Sequence, residues 1–264
     1  MKKLFSIVII ILFSQFQVLN AIAGSDGEVK ISSKKNNNQV VKDCFESVNR
    51  GIFAFNQVLD KAVFKPLAKG YRKLPQPMRS GTSNALNNLG NLVTIPNNIL
   101  QGQIKDASIN SLRLMINSTL GIAGFFDVAS YYGFPKLDKE DYGQTLGTWG
   151  FNEGCYFVLP VLGPTTVRDS IGSLANVAGG DAWYNVTVAN DTQYFNEADY
   201  YLSQLLSGVD FRAKNLESFD SLENTSIDLY ASIRSLYLQD RQRKIKNLDV
   251  ATETMIDDDW EEID

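Results

Sequence analysis

The sequence predicts a predominantly α-helical protein. Apolar residues recur at spacings of three and four in successive runs, turn-forming Pro and Gly separate those runs, and one glycine-dense stretch interrupts them. The chain of 264 residues is long enough for one large domain with a substantial core, and a second domain is not required.

The chain opens on Met1-Lys2-Lys3, then a nearly unbroken apolar run from Leu4 to Phe13, and reaches Ala21-Ile22-Ala23 ahead of Gly24. Basic, apolar and A-x-A segments in that order make residues 1–23 a secretory signal, cleaved after Ala23. Ser14, Gln15, Gln17 and Asn20 interrupt the apolar run well short of the roughly 20 residues a spanning helix needs. Residues 24–40 are polar and aperiodic and read as a linker.

The helical pattern begins with Ile52, Phe55, Leu59, Ala62 and Val63, and Pro66 favours a break at Lys65. After the turn-like Leu74-Pro75-Gln76-Pro77, a second set runs through Leu86, Leu89, Val93, Pro96 and Leu100, with asparagines on the other face. A third runs through Ile109, Leu112, Ile116, Leu120 and Ala123. It is apolar on more than one side, which by itself favours a buried core helix over one facing lipid.

Between Tyr142 and Asp169, Gly143, Gly147, Gly150 and Gly154 suggest turns, a small hairpin or a loop rather than a helix. No Lys-Ser/Thr follows, so a phosphate-cradling nucleotide loop is disfavoured. Helical spacing returns from Ala198 to Leu248, with Leu202, Leu205 and Leu206, then Leu229, Ile233, Leu236 and Tyr237. Arg241, Arg243, Lys244 and Lys246 close it, as a solvated helix end or as a site for anionic headgroups or a partner. Residues 249–264 form an acidic tail, expected to be disordered. The domain proper is thus residues 41–248.

The net charge of −5 comes largely from that tail, which holds eight acids and no base. Without the tail and the signal, 23 bases face 22 acids, a near-neutral body unsuited to binding nucleic acid. There is no histidine, which excludes Ser-His-Asp and Cys-His nucleophile systems and the common histidine metal sites. The residues show no catalytic constellation and point to no cofactor. Cys44 and Cys155 would meet an oxidising compartment after export, and their spacing alone leaves open a disulfide or two independent small apolar residues. The Asn-x-Ser/Thr matches at Asn117, Asn185, Asn190 and Asn224 read as accidents of an Asn-rich composition.

Several motifs carry a resemblance. Asp43-Cys44-Phe45-Glu46-Ser47-Val48-Asn49-Arg50, then Phe53-Ala54-Phe55-Asn56 and Leu59-Asp60, resemble the start of the VacJ/MlaA family of outer-membrane phospholipid-transport lipoproteins. Lys65-Pro66-Leu67-Ala68, Leu74-Pro75-Gln76-Pro77, Arg113 with Asn117-Ser118-Thr119, and Gly121 to Asp127 follow in the family's order. Phe157 to Pro160 with Gly163 to Asp169 is the most distinctive run, and Arg212, Asp228, Tyr230, Arg234, Tyr237 and Arg241 continue it.

The resemblance implies a ring-shaped arrangement of amphipathic helices in the outer membrane, with a glycine-rich channel loop and a polar channel. Such a protein takes mislocalised phospholipid from the outer leaflet, works with a trimeric porin, and passes lipid to a periplasmic carrier, maintaining membrane asymmetry. Arg168 becomes a candidate for orienting a headgroup, or a structural partner of Asp169. Gly147, Gly150 and Gly154 become channel-loop candidates, and Phe55 and Asn56 fall where the family has a gating helix. Two features depart from the pattern. Cys44 lacks the small apolar residues of a lipobox, and Cys155 stands where proline is common, which makes a Cys44–Cys155 bridge more attractive. The competing readings are a soluble periplasmic lipid carrier, a porin-associated structural or virulence protein, and a histidine-free phospholipase.

Overall fold

In a computed structural model of the chain, residues 41–189 and 195–247 are described. The signal, the linker and the acidic tail expected from the sequence lie outside the described residues. Among those described, helices dominate, as the periodicity predicts.

Helix α1 (Glu46–Leu59) runs into a π-helical turn (Asp60–Phe64) and then α2 (Lys65–Tyr71), which carries Pro66 in its first turn. The break expected at Pro66 therefore does not occur. Hydrogen bonding loosens just ahead of the proline, with Lys65 N–H donating to Asp60 O, and a first-turn proline needs no donor. Helix α3 (Gln76–Leu100) starts at the predicted proline turn and packs along α4 (Ile104–Thr119). The short α5 (Val128–Tyr131) follows, then α6 (Tyr142–Thr148). The glycine-dense stretch thus begins as a helix, capped by Asp141, and not as a loop.

The hairpin lies further on, as β1 (Tyr156–Leu159) antiparallel to β2 (Gly163–Thr166), with Tyr156 opposite Thr166 and Leu159 opposite Gly163. Thr166 caps α7 (Val167–Ala175) through its hydroxyl. Helices α8 (Ala182–Tyr184), α9 (Glu197–Lys214), α10 (Leu216–Thr225) and α11 (Leu229–Ile245) complete the order. Helix α6 packs on α7, α9 on α2 and α3, and α11 on α6 and β2.

Among the described residues, an apolar core forms where α1, the hairpin and α11 meet, around Tyr156, Val158, Tyr230 and Leu238. Edge-on ring contacts join Phe53 to Tyr230, and Tyr156 to both Tyr230 and Tyr237. Elsewhere the usual polarity is inverted. Among the described residues, 22 polar or charged residues are buried against 11 hydrophobic ones. Helix α4 buries Asn110, Arg113 and Asn117 while Leu112, Met115 and Leu120 stay exposed, Met115 at 65%. The core placement that the sequence favoured for its apolar side is overturned, because the polar stripe faces α3 and the neighbouring loops. No helix among the described residues is long and apolar enough to cross a membrane.

Candidate functional site

The buried polar stripes of α3 and α4 meet at a cavity of about 260 Å³, lined further by Asp127 and by Lys136 to Lys139. Asn84, Asn87, Asn88 and Asn91 come from one face of α3, at the three- and four-residue spacing that aligns side chains on a helix. Asn110, Arg113 and Asn117 come from α4 in the same way. Arg113 donates to Asp127 Oδ1 at 2.8 Å and to Phe134 O at 2.5 Å, fixing the loops at either side of α5. Asn117 adds a bond to Asp127 and accepts from Ala129 N. Burial would raise the Asp127 carboxyl, but Ser130, Lys136, Asn117 and Arg113 outweigh it and hold the group well below the usual carboxylate range.

Lys139 also lines the cavity, packed against α3. Its Nζ donates to Asn87 O at 2.6 Å and to Asn91 Oδ1, and it forms no ion pair among the described residues. Burial, with some repulsion from Arg113, pulls its ammonium down to about 8. Next to it, Glu140 is buried against a second polar network in which Gln101 donates to its carboxylate at 2.9 Å and Thr145 bonds Asn97 at 2.6 Å. Burial pushes Glu140 up to about 7, against the opposing bond from Gln101.

The residues singled out in the sequence fall elsewhere. Arg168 and Asp169 are buried together at the start of α7, with Arg168 Nε and Nη2 both 3.1 Å from Asp169 Oδ1. Arg168 also lies 3.3 Å from Glu153, while Asp169 accepts from Tyr237 at 2.6 Å and from Arg241 at 2.8 Å. Arg168 thus forms the pair with Asp169 that the sequence weighed beside a headgroup role. Arg241 is a buried member of this cluster and not a solvated helix end.

The glycines serve close approach. A Cβ on Gly147 would meet Ile245 at 2.7 Å and Arg168 at 3.2 Å. Gly150 (φ +90°) and Gly154 (φ +70°) adopt left-handed backbone that favours glycine.

Asn49 and Asn56, two turns apart on α1, clamp the free edge of β1. Asn49 donates to Tyr156 O at 3.3 Å and accepts from Val158 N at 3.0 Å. Asn56 donates to Leu159 O at 2.9 Å and accepts from Val161 N at 2.8 Å. Side-chain amides thereby satisfy a strand edge that would otherwise stay open. Phe55, beside Asn56, points outward and is exposed. Cys44 and Cys155 are joined by a disulfide, Cα atoms 5.6 Å apart, beside the bridge between Asp43 and Tyr156.

The family model of the MlaA lipoprotein matches residues 41–244, nearly the whole described span. The chain belongs to the MlaA lipoprotein family. A Haemophilus influenzae relative, the intermembrane phospholipid transport system lipoprotein MlaA, is 31% identical over 94% of this chain and 96% of its own. The Escherichia coli K12 protein of that name is 34% identical over 84% of this chain and 86% of its own. A solved structure described as the structural basis for maintenance of bacterial outer membrane lipid asymmetry aligns with a TM-score of 0.65 at 30% identity. It covers 77% of this chain and 99% of that one.

Lys139, Asn88, Glu140 and the cavity lie outside the residues to which the sequence points. The signal in the sequence is asparagine at helical spacing, on the face of α3 opposite its apolar positions and again on α4.

Proposed function

We propose that this chain is the outer-membrane component of a phospholipid transport system, removing mislocalised phospholipid from the outer leaflet and so maintaining lipid asymmetry. The observation that carries this reading is the inverted polarity of α3 and α4. A folded chain that buries asparagine, arginine and glutamate while exposing leucine, methionine and phenylalanine is built for apolar surroundings, where exposed apolar side chains cost nothing and polar groups must be satisfied inside. A polar interior then offers a lipid headgroup a route that hydrocarbon denies it. The chain's own groups bind and guide, and no covalent step is required.

The family resemblance extends the proposal to two partners, a trimeric porin that seats the protein and a periplasmic carrier that receives the lipid. Helix α1 is a candidate gate in that scheme, and moving it would break the amide clamp of Asn49 and Asn56 on the hairpin. Attachment to the membrane is assigned to the apolar perimeter, supplemented by those partners.

Deleting the gene and measuring surface-exposed phospholipid tests the reading. Accumulation that complementation reverses is expected; unchanged surface phospholipid overturns it. Fractionation separates this proposal from a soluble carrier, because extraction of the mature protein requires detergent under the first reading and not under the second.

A further inference from the structure

The cavity between α3 and α4 contains two features that packing alone leaves unused. Lys139 holds a positive charge at the wall with only amide oxygens for partners. Asn88, 5% exposed, donates to Ser118 at 2.8 Å, yet its Oδ1 has no hydrogen-bond partner. A buried acceptor left unpaired is destabilising, so its retention in a cavity wall needs a reason.

The remaining charges around the cavity are already paired. Arg113 from α4 and Lys136 both contact Asp127, and Asp138 pairs with Arg243 of α11. Glu140 turns to Gln101 and the second network. The surplus charge is therefore Lys139, with an unused acceptor on the same cavity. At about 260 Å³, the space falls just below the roughly 300–1,000 Å³ of drug-sized ligand pockets, enough for a small polar group and too little for acyl chains.

We propose that this cavity is a headgroup subsite in which Lys139 binds the phosphate and Asn88 Oδ1 accepts a hydrogen bond from the headgroup's own ammonium or hydroxyl. The proposal rests on the transport reading and deepens it by naming the chemistry selected. Ethanolamine and glycerol headgroups carry such a donor, whereas choline, a quaternary ammonium, has none. The subsite therefore discriminates against choline by leaving Asn88 unpaired.

The test uses the purified full chain in detergent, titrated calorimetrically with dibutyroyl phosphatidylethanolamine and dibutyroyl phosphatidylcholine, whose glycerol hydroxyls are esterified, and with inorganic phosphate. The ethanolamine probe should bind at least about tenfold tighter than the choline probe, the discrimination expected when one buried acceptor is left unpaired. Lys139→Gln should weaken both organic probes about tenfold or more, and Asn88→Leu should abolish the preference between them. Wild-type binding should weaken as the pH rises past about 8, where Lys139 loses its proton, and Lys139→Arg should keep binding while removing that dependence.

Equal binding of the two organic probes, unaltered binding in Lys139→Gln, or inorganic phosphate binding as tightly as the ethanolamine probe overturns the proposal. Loss of binding in Lys139→Gln counts in favour only if its melting transition matches the wild type, and retention in Lys139→Arg provides the independent readout. Mass spectrometry of co-purifying lipid keeps the two failures apart. Phospholipid retained equally by wild type and variants sinks the subsite alone, whereas wild-type protein free of phospholipid, with no effect of gene deletion, sinks the transport reading.

Discussion

Arg241 closes on Asp141 through two parallel hydrogen bonds, Nη1 to Oδ2 at 2.6 Å and Nη2 to Oδ1 at 2.9 Å, and the same guanidinium reaches Asp169 Oδ1 at 2.8 Å. One side chain of α11 thereby ties the cap of α6 to the first turn of α7. The planar fork of arginine matches a carboxylate in a way lysine cannot.

Arg241→Ala strands these carboxylates and should cost about 3 kcal/mol, the lower end for breaking a buried pair, because Arg168 and Tyr237 still hold Asp169. Burial raises Asp141, but Arg241 outweighs it and holds the carboxyl at about 2, below its ordinary 3.8. That contribution is complete above pH 3.8 and is lost as the pH falls through 2. Urea denaturation in detergent at pH 7 and pH 3 should show the variant's deficit shrinking at the lower pH.

Glu140 carries the opposite sign. Its folded carboxyl stands at about 7 against an ordinary 4.5, so the folded state binds more protons between those values. Stability is complete below pH 4.5 and declines as the pH rises through 7. Glu140→Gln keeps an acceptor for Gln101 and should leave stability at pH 4 unchanged while raising it by about 1–3 kcal/mol at pH 8. Parallel denaturation curves at the two pH values would contradict this.

The disulfide joins residues 111 apart, and closing so long a loop restricts the unfolded chain by about 4–5 kcal/mol in the chain-entropy picture. Reduction should lower the denaturation midpoint accordingly, with little change in helical content under native conditions. Thiol labelling of non-reduced protein should find no free cysteine, and two labelled thiols would refute the bridge.

A Cβ on Gly172 would fall 2.2 Å from Gly143 N and 2.6 Å from Gly143 Cα, so α6 and α7 cross backbone to backbone. Neither helix can yield by turning a side chain. Gly172→Ala should cost about 3 kcal/mol. Gly51→Ala, in α1 with nothing within 4 Å, should instead stabilise by about 0.5–1 kcal/mol through helix propensity. Thermal melts of the two variants shifting in the same direction would contradict the assigned crossing.

The helices were largely legible because apolar residues three and four apart mark one face whatever that face touches. The same rule misled at α4, where Leu112 and Met115 mark the outside, and the buried side carries Asn110 and Arg113. Periodicity fixes a stripe and not the medium it meets. Gly143 and Gly147 suit turns by residue type, but they lie in α6, where their lack of a side chain admits Asp169 and Ile245. Arg168 stands out in the sequence through its motif, whereas its partners Asp169 and Glu153 emerge only in the fold.

By itself the sequence determined a helical chain, its run boundaries to within a few residues, an absence of histidine chemistry and a resemblance strong enough to name a family. These follow from local spacing and residue identity. Only the tertiary structure decided that polar stripes face inward, that Lys139 and Asn88 share one cavity, and that Arg241 joins three elements. Those relationships connect residues up to 100 positions apart, as Arg241 does with Asp141, and local periodicity carries no information about contacts at that range.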